Sequence, residues 1–269
     1  MRLNYKADVL KIAGQAAGFF LLCFLIACSE EEMPVQEQTV VQVSTIDALM
    51  TGVYDGETTL SSLARWGDFG IGTFNSLDGE MLLYKGTFYQ VKADGKIYKP
   101  AAGIKTPFST VTFFDPEVNI KLNSFSYSKL KTTIDTIIAS PNFFYAIQVQ
   151  GSFKYIKTRS VPAQQKPFPP LVEVTANQPE FEKQSVSGTL CGFYCPPFVT
   201  GINVPGYHLH FISEDETFGG HVLEFELNEG TLDLDQITNF KLILPGQGDF
   251  LNTSLDEDLS GDLEDVEGN

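Results

Sequence analysis

The spacing of apolar residues along the chain predicts many short strands and a few short helices. Between residues 126 and 138, apolar side chains recur at the spacing of one helix face, at Leu130, Ile134, Ile137 and Ile138. Two shorter helices are indicated by polar residues that can cap a first turn, Ser44 and Thr59, each followed by apolar positions.

Elsewhere the pattern is typical of strands separated by glycine-containing turns. Eight segments are predicted as strands: Met81–Tyr84, Thr87–Val91, Val111–Phe114, Phe143–Phe153, Gly188–Phe193, His208–Ile212, His221–Leu227 and Phe240–Leu244. We therefore expect an α+β fold that is mostly β, with mixed and antiparallel sheets in two packed units and a few short helices.

A proline-rich stretch, residues 161–170, is the predicted boundary between these units. It separates an N-terminal β-rich unit, residues 44–165, from a C-terminal β unit, residues 166–253. The final sixteen residues, 254–269, contain seven acidic residues and no basic one, which predicts a solvated acidic tail.

The first 27 residues are typical of a secretory signal peptide. Basic residues precede an uncharged run, Ala16–Ala27, that is too short to span a bilayer comfortably. The run ends in Leu-Ile-Ala followed by Cys28, which resembles the lipobox of bacterial lipoproteins. This resemblance implies lipidation at Cys28; the alternative is a signal peptide that is cut near Ala27, with Cys28 incidental. Residues 29–39 are polar and contain proline, which predicts a solvated tether, placed over residues 28–43.

These features predict an exported protein of the cell envelope, anchored by lipid on the periplasmic or the outer-membrane face. The formal net charge of −16 repels phosphate backbones and argues against nucleic acid as a partner. A content of 43% hydrophobic residues, including 22 Phe and 10 Tyr, provides a core and excludes disorder. Beyond the signal and Cys28, the remaining cysteines are Cys191 and Cys195, for which buried free thiols are favoured over a disulfide.

All three histidines fall within fourteen residues, at His208, His210 and His221. In a strand, His208 and His210 point to the same face. If Glu214–Thr217 form a four-residue hairpin loop, the ladder carries His210 opposite His221 and places the third imidazole on that face.

Three imidazoles with a free fourth position indicate a catalytic zinc site on a C-terminal β-hairpin, because structural zinc normally has four protein ligands. Two alternatives stay open. The histidines could lie on the surface without a metal, or Cys191 or Cys195 could complete a structural zinc site.

Two further residues are candidates for chemistry. Glu80 follows a glycine-rich segment and could present a carboxylate at the start of a strand, although a turn residue is the commoner role. Arg159 lies just before the proline-rich stretch and could bind a substrate carboxylate with its planar guanidinium, the alternative being a surface salt bridge.

Several segments together closely resemble the α-acetolactate decarboxylase family over about residues 44–250. They are Gly72–Glu80, Lys105–Phe108, Lys157–Pro162, Gly192–Tyr194, Asn203–Asp215 and Gly219–Leu223, and the histidine segment is the most specific of them. The resemblance implies an enzyme that converts 2-acetolactate to acetoin and carbon dioxide with bound zinc and no organic cofactor.

The same resemblance implies roles for individual residues. His208, His210 and His221 correspond to zinc ligands, Glu80 and Arg159 to active-site groups, and Thr73 to a residue that lines the site and contacts substrate. A glutamate near the C-terminus also belongs to the site, and an ungapped extension assigns that role to Glu267, with Glu264 as the alternative.

The reaction expected from these assignments is decarboxylation through an enediolate stabilised by the metal. Two other functions stay open: a non-catalytic, lipid-anchored binding protein with a structural zinc, and a zinc hydrolase. A homodimer is also left open by the sequence.

Overall fold

The computed structural model describes residues 38–267, which all fall within one compact unit. The predicted signal peptide 1–27, the lipidation site Cys28 and the tether as far as residue 37 lie outside the described residues. In the part of the chain that the structure describes, no helix is both long and apolar enough to cross a membrane.

Fourteen strands are formed by the described residues: β1 Thr39–Val43, β2 Thr58–Thr59, β3 Phe69–Thr73, β4 Glu80–Tyr84, β5 Thr87–Val91, β6 Ile97–Tyr98, β7 Lys105–Thr106, β8 Ser109–Thr112, β9 Val118–Ser126, β10 Phe144–Arg159, β11 Glu180–Cys195, β12 Gly206–Ser213, β13 Gly219–Ile237 and β14 Asn239–Ile243. The α-helices among these residues are α1 Ile46–Met50, α2 Leu60–Leu63, α3 Tyr127–Ile137, α4 Leu171–Thr175 and α5 Ser260–Glu267.

The strands form two large sheets and one small one. The first has seven strands in the order β14-β1-β8-β3-β4-β5-β6 and is mixed, because β1 and β14 run parallel. The second has five strands, β10-β11-β12-β13-β9, all antiparallel, and β10 also pairs with β13, so that these strands close on themselves. The small sheet joins β2 to β7.

Apolar side chains fill the closed sheet and the space between the two large sheets. One cluster, with Phe153, Leu209 and Phe211 among its members, packs on the same side of the five-stranded sheet as α3. A second cluster combines residues of both sheets, such as Leu82 and Ile212. Successive residues of β12 therefore alternate between two apolar environments, and His208 and His210 share the face of Ile212 that is directed towards the seven-stranded sheet.

The mostly β fold with a few short helices is confirmed. The periodicity over residues 126–138 predicted the position of helix α3 to within one residue at each end. Helix α3 starts directly after Ser126, whose hydroxyl accepts a hydrogen bond from the Lys129 backbone N–H. Helix α2 has Thr59 as its cap, as expected. Helix α1 is capped by Thr45 rather than by Ser44, which has a left-handed backbone conformation.

Three segments differ from the organisation that the sequence suggests. Strands β9 and β10 precede the proline-rich stretch 161–170 but pair with β11 and β13, which follow it. Residues 39–43, expected in the tether, form β1, which is buried between β14 and β8. Residues 260–267 of the expected acidic tail form α5, which buries Leu263, Val266 and Glu267.

Candidate active site

The three histidines converge from two adjacent strands of the closed sheet. Ser213 and Phe218 close the hairpin, because the Ser213 backbone N–H donates to the Phe218 carbonyl at 2.8 Å. The register then places His210 directly opposite His221, as the loop length predicts. His208 lies two residues before His210 on the same face. Each of the three imidazoles offers one ring nitrogen, and these three nitrogens all lie within 4.8 Å of one another.

The geometry of this cluster fits a divalent metal ion. The Nε2 atoms of His208 and His210 are 3.2 Å apart. Two nitrogens that each lie about 2.0–2.1 Å from a tetrahedral zinc ion are separated by roughly 3.3–3.4 Å, so little movement is needed for both to bind one ion. Among the described residues, no Cys, Asp or Glu offers a ligand atom within 4.8 Å of all three imidazoles.

Hydrogen bonds to the backbone orient two of these rings. The Nδ1 atom of His210 lies 2.9 Å from the Met81 carbonyl oxygen, which can only accept, so Nδ1 carries the proton and Nε2 keeps its lone pair. His221 donates a hydrogen bond to the backbone of Glu267. A strand of the other sheet and the C-terminal helix therefore both support the cluster.

The rings are held in the neutral form that metal binding requires. Burial lowers the pKa of His208 to about 3, and the nearby charge of Arg159 lowers it further in the same direction. The pKa of His221 is also lowered, mainly by burial and then by the charge of the same guanidinium. A metal ion therefore has no proton to displace from these rings near neutral pH.

Glu80 reaches the cluster from the first residue of β4, as the glycine-rich approach suggested. The preceding Gly79 has φ +89°, and a Cβ there would lie 2.3 Å from the Val91 carbonyl oxygen, so only glycine allows the chain to enter the strand at this point. A carboxylate oxygen of Glu80 lies 3.5 Å from His210 Nε2. Burial raises the pKa of Glu80 to about 8, although Arg159 lowers it.

Thr73 stands opposite Glu80 in the β3–β4 ladder and also lines the site. Its hydroxyl donates to the Gly79 carbonyl at 2.8 Å, which fixes the turn that leads into Glu80. The Thr73 side chain is thus committed to the backbone of that turn.

Arg159 ends β10 directly opposite His221 of β13. Residues opposite one another in a ladder share a face, so Arg159, His221 and His210 form a row across three strands. The strands approach closely here because Gly220 has no side chain, and a Cβ at that residue would lie 2.4 Å from the Arg159 carbonyl oxygen. Arg159 is only 5% exposed, so it does not form the surface salt bridge that was its alternative role.

Glu267 enters the cluster from the last turn of α5. One of its carboxylate oxygens lies 3.8 Å from His221 Nε2 and 3.9 Å from His208 Nε2, and the same oxygen is buried without a hydrogen-bond partner. Burial raises the pKa of Glu267 to about 6 while Arg159 lowers it. The alternative residue, Glu264, lies on the exposed face of the same helix.

These groups surround one cavity of about 50 Å³. Its polar lining residues include Thr73, Glu80, Arg159, His208, His221 and Glu267. Apolar residues of α1 and α4, such as Leu49 and Leu171, complete the wall. The structure therefore brings together every residue that the sequence analysis assigned to the active site.

Two polar lining residues were missed by the sequence analysis. Thr175 ends α4 and Gln178 lies in the turn that follows it, next to the stretch interpreted only as a boundary. A lone glutamine in a turn carries no pattern that indicates a function. Cys191 and Cys195 are buried free thiols, as expected, and neither belongs to the histidine cluster, which argues against their closing a structural metal site.

Comparison with known proteins gives one consistent result. The family model described as alpha-acetolactate decarboxylase matches residues 40–257. The alpha-acetolactate decarboxylase of Methanosarcina mazei is 50% identical over 227 residues, which cover 84% of this chain and 79% of that protein. That of Bacillus subtilis is 41% identical over 246 residues, covering 91% of this chain and 96% of that protein.

A solved structure agrees with the sequence relatives. The crystal structure of alpha-acetolactate decarboxylase from Bacillus subtilis strain 168 superposes with a TM-score of 0.84 at 42% identity. The superposition covers 86% of this chain and all of that one.

Proposed function

The chain belongs to the alpha-acetolactate decarboxylase family, and from that premise we propose that it binds Zn²⁺ through His208, His210 and His221 and decarboxylates 2-acetolactate to acetoin and carbon dioxide through an enediolate. It is an enzyme of the carboxy-lyase type, and its substrate is a small molecule. The observation that carries the proposal is a cluster of three imidazoles beside one cavity, which two of them line together with a buried guanidinium and two buried carboxyl groups.

Zinc is the metal that suits this site best. Three nitrogen ligands with no fourth protein ligand are typical of catalytic zinc, which keeps a position for water or substrate. When bound, the ion would act as a Lewis acid that stabilises the negative charge of the enediolate by roughly several kcal/mol.

Arg159 is proposed to bind the substrate carboxylate before it leaves as carbon dioxide. None of the ion pairs found among the described residues involves Arg159, so its guanidinium is available for an anionic ligand. Its planar fork can donate two parallel hydrogen bonds to a carboxylate, which fixes the direction of the bond that breaks.

One of the two buried carboxyl groups, Glu80 or Glu267, is proposed to deliver the proton that completes acetoin. The two reach the histidine cluster from different elements, β4 and α5, and both line the cavity. A donor held at one side of a planar enediolate protonates only that face, so the product should be a single enantiomer. Glu80→Gln and Glu267→Gln should differ in the chirality of the acetoin they form, measured by chiral chromatography.

The proposed activity is tested with purified protein and racemic 2-acetolactate. We expect one zinc per chain by elemental analysis, release of carbon dioxide and acetoin, loss of both after treatment with a chelator, and recovery on addition of Zn²⁺. Full activity in chelator-treated protein that contains no metal would refute the zinc-dependent reaction. Bound zinc without release of carbon dioxide would instead favour the binding-protein alternative.

We also propose export and lipid anchoring through Cys28. The support comes from the sequence alone, in the apolar run that ends at Cys28. Cells that express the wild-type chain should incorporate labelled palmitate and hold the protein in the membrane fraction. Cys28→Ser should abolish both, whereas Cys23→Ser, a matched change inside the predicted signal, should abolish neither.

A further inference from the structure

Gln178 lines the active-site cavity, and its side-chain oxygen Oε1 is buried without a hydrogen-bond partner. Five buried side-chain oxygens of the described residues have no hydrogen-bond partner: Glu57 Oε1, Ser109 Oγ, Gln178 Oε1, Asp235 Oδ1 and Glu267 Oε2. Only two of these five belong to residues that line the cavity, Gln178 and Glu267. Buried polar atoms in native proteins are normally paired, so an unpaired one in a residue that lines the cavity calls for a partner, which a bound ligand can supply.

The position of Gln178 is fixed by its backbone. Its N–H donates to the Thr175 carbonyl at 3.2 Å, which continues the last turn of α4. Helix α4 packs its apolar face, including Leu171 and Val174, into the same cluster as Leu263 and Val266 of α5. The side chain is therefore presented from a packed element, next to the helix that carries Glu267.

The other polar groups of the cavity have different tasks under the proposed function, on which this inference rests. The substrate carries a carboxylate, a ketone oxygen and one hydroxyl group. Arg159 is matched to the carboxylate, and the imidazoles with their metal are matched to oxygen lone pairs. The hydroxyl group is the only hydrogen-bond donor of the substrate, and an amide oxygen is an acceptor.

We propose that Gln178 is a specificity-determining residue, whose side-chain oxygen accepts a hydrogen bond from the hydroxyl group of the 2-hydroxy-3-oxo acid substrate. Without a hydroxyl donor, this oxygen stays buried and unpaired, which penalises the binding of acids that lack the group. The contact is retained through the reaction, because the hydroxyl group of the substrate is also that of the product. Gln178 thus selects the substrate and takes no part in proton transfer.

The test compares two stable inhibitors, 2-hydroxy-2-methylbutanoate and 2-methylbutanoate, which share the carboxylate and the carbon skeleton and differ by the hydroxyl group. Inhibition constants are measured with the zinc-loaded full-length protein. In Gln178→Met, which keeps the size of the side chain and removes the acceptor, the preference for the hydroxy acid should fall about tenfold. The kcat/KM for 2-acetolactate should fall by about 10- to 100-fold.

Two further variants separate recognition from structure. Gln178→Glu keeps an oxygen acceptor at the same reach, so it should retain the preference for the hydroxy acid even if turnover changes. Asn177→Leu makes a similar change on an exposed neighbour and should leave both the preference and turnover as in the wild type.

An unchanged preference for the hydroxy acid in Gln178→Met would overturn the proposal, whether or not turnover falls, because a purely structural role weakens both inhibitors equally. Failure of the proposed function would look different. The wild-type protein itself would then release no carbon dioxide from 2-acetolactate.

Discussion

Arg159→Lys tests whether a planar, bidentate contact holds the substrate carboxylate. Arg159 is 5% exposed and takes part in none of the ion pairs found among the described residues, so its hydrogen bonds to a substrate carboxylate would be little screened by solvent. A hydrogen bond to a charged group contributes about 1.5–3 kcal/mol. Lysine keeps the charge but offers a point donor in place of the fork, so roughly one such bond is lost.

The expected consequence is a fall in kcat/KM for 2-acetolactate of about 10- to 150-fold, since each 1.4 kcal/mol or so corresponds to a factor of ten. The assay is the initial rate of acetoin formation over a range of substrate concentrations, with zinc content measured on the same samples. A matched control is Lys157→Arg, two residues earlier on β10, where the side chain pairs with Glu180 at 2.6 Å outside the cavity. If Arg159→Lys has normal zinc content and kinetics within about threefold of the wild type, the carboxylate contact is wrong and Arg159 is a structural residue.

Three other predictions test the site and its surroundings. His208→Ala should lose both bound zinc and turnover, and turnover in the metal-free variant would contradict the assigned ligands. A chain that ends after Gly261 lacks Glu267, whose backbone accepts a hydrogen bond from the His221 imidazole; it should lose turnover and bind zinc more weakly in a competition titration, whereas the exposed change Glu264→Gln should do neither. Burial raises the pKa of Asp235 to about 7 from 3.8, with the nearby acidic groups Glu117, Asp115 and Asp68 adding to the shift, so the folded state favours the protonated carboxyl. The resulting penalty is absent below about pH 4 and complete above about pH 7, and the free energy of unfolding should therefore fall by about 2.5 kcal/mol between pH 5 and pH 8. Asp235→Asn should remove that part of the fall in urea titrations, and an identical pH dependence in both proteins would refute the assignment.

The histidine hairpin could be predicted from the sequence because its geometry is local. Alternation along a strand places His208 and His210 on one face, and the length of a hairpin loop sets the partner of each later residue. Both rules depend on fewer than about fifteen residues of chain, and the observed pairing of His210 with His221 follows them.

The division into an N-terminal and a C-terminal unit was harder to predict, because it depends on which distant strands pair. The proline-rich stretch does interrupt secondary structure, since β10 ends at Arg159 and α4 begins at Leu171. An interruption between two elements does not show whether they belong to the same sheet. Here β10 pairs with strands on the far side of the interruption along both edges, and only tertiary packing decides that outcome.

The C-terminal helix shows a case in which composition concealed a pattern. Seven acidic residues in sixteen suggest a solvated tail, yet Leu259, Leu263 and Val266 recur at the i, i+4, i+7 spacing of one helix face. Leu263 and Val266 are buried in the structure, and burial of two such side chains contributes about 3–6 kcal/mol, enough to hold a short acidic helix on the protein.

Glu267 follows Leu263 by four residues and so occupies an apolar position of that face. A charged residue at a core position costs stability unless something there compensates for it, and in this chain the compensating groups are Arg159 and the metal that the three imidazoles fit. An acidic residue at an apolar position of the helical pattern was therefore the signal for a functional residue. This signal can be recognised only when the tail is treated as a helix.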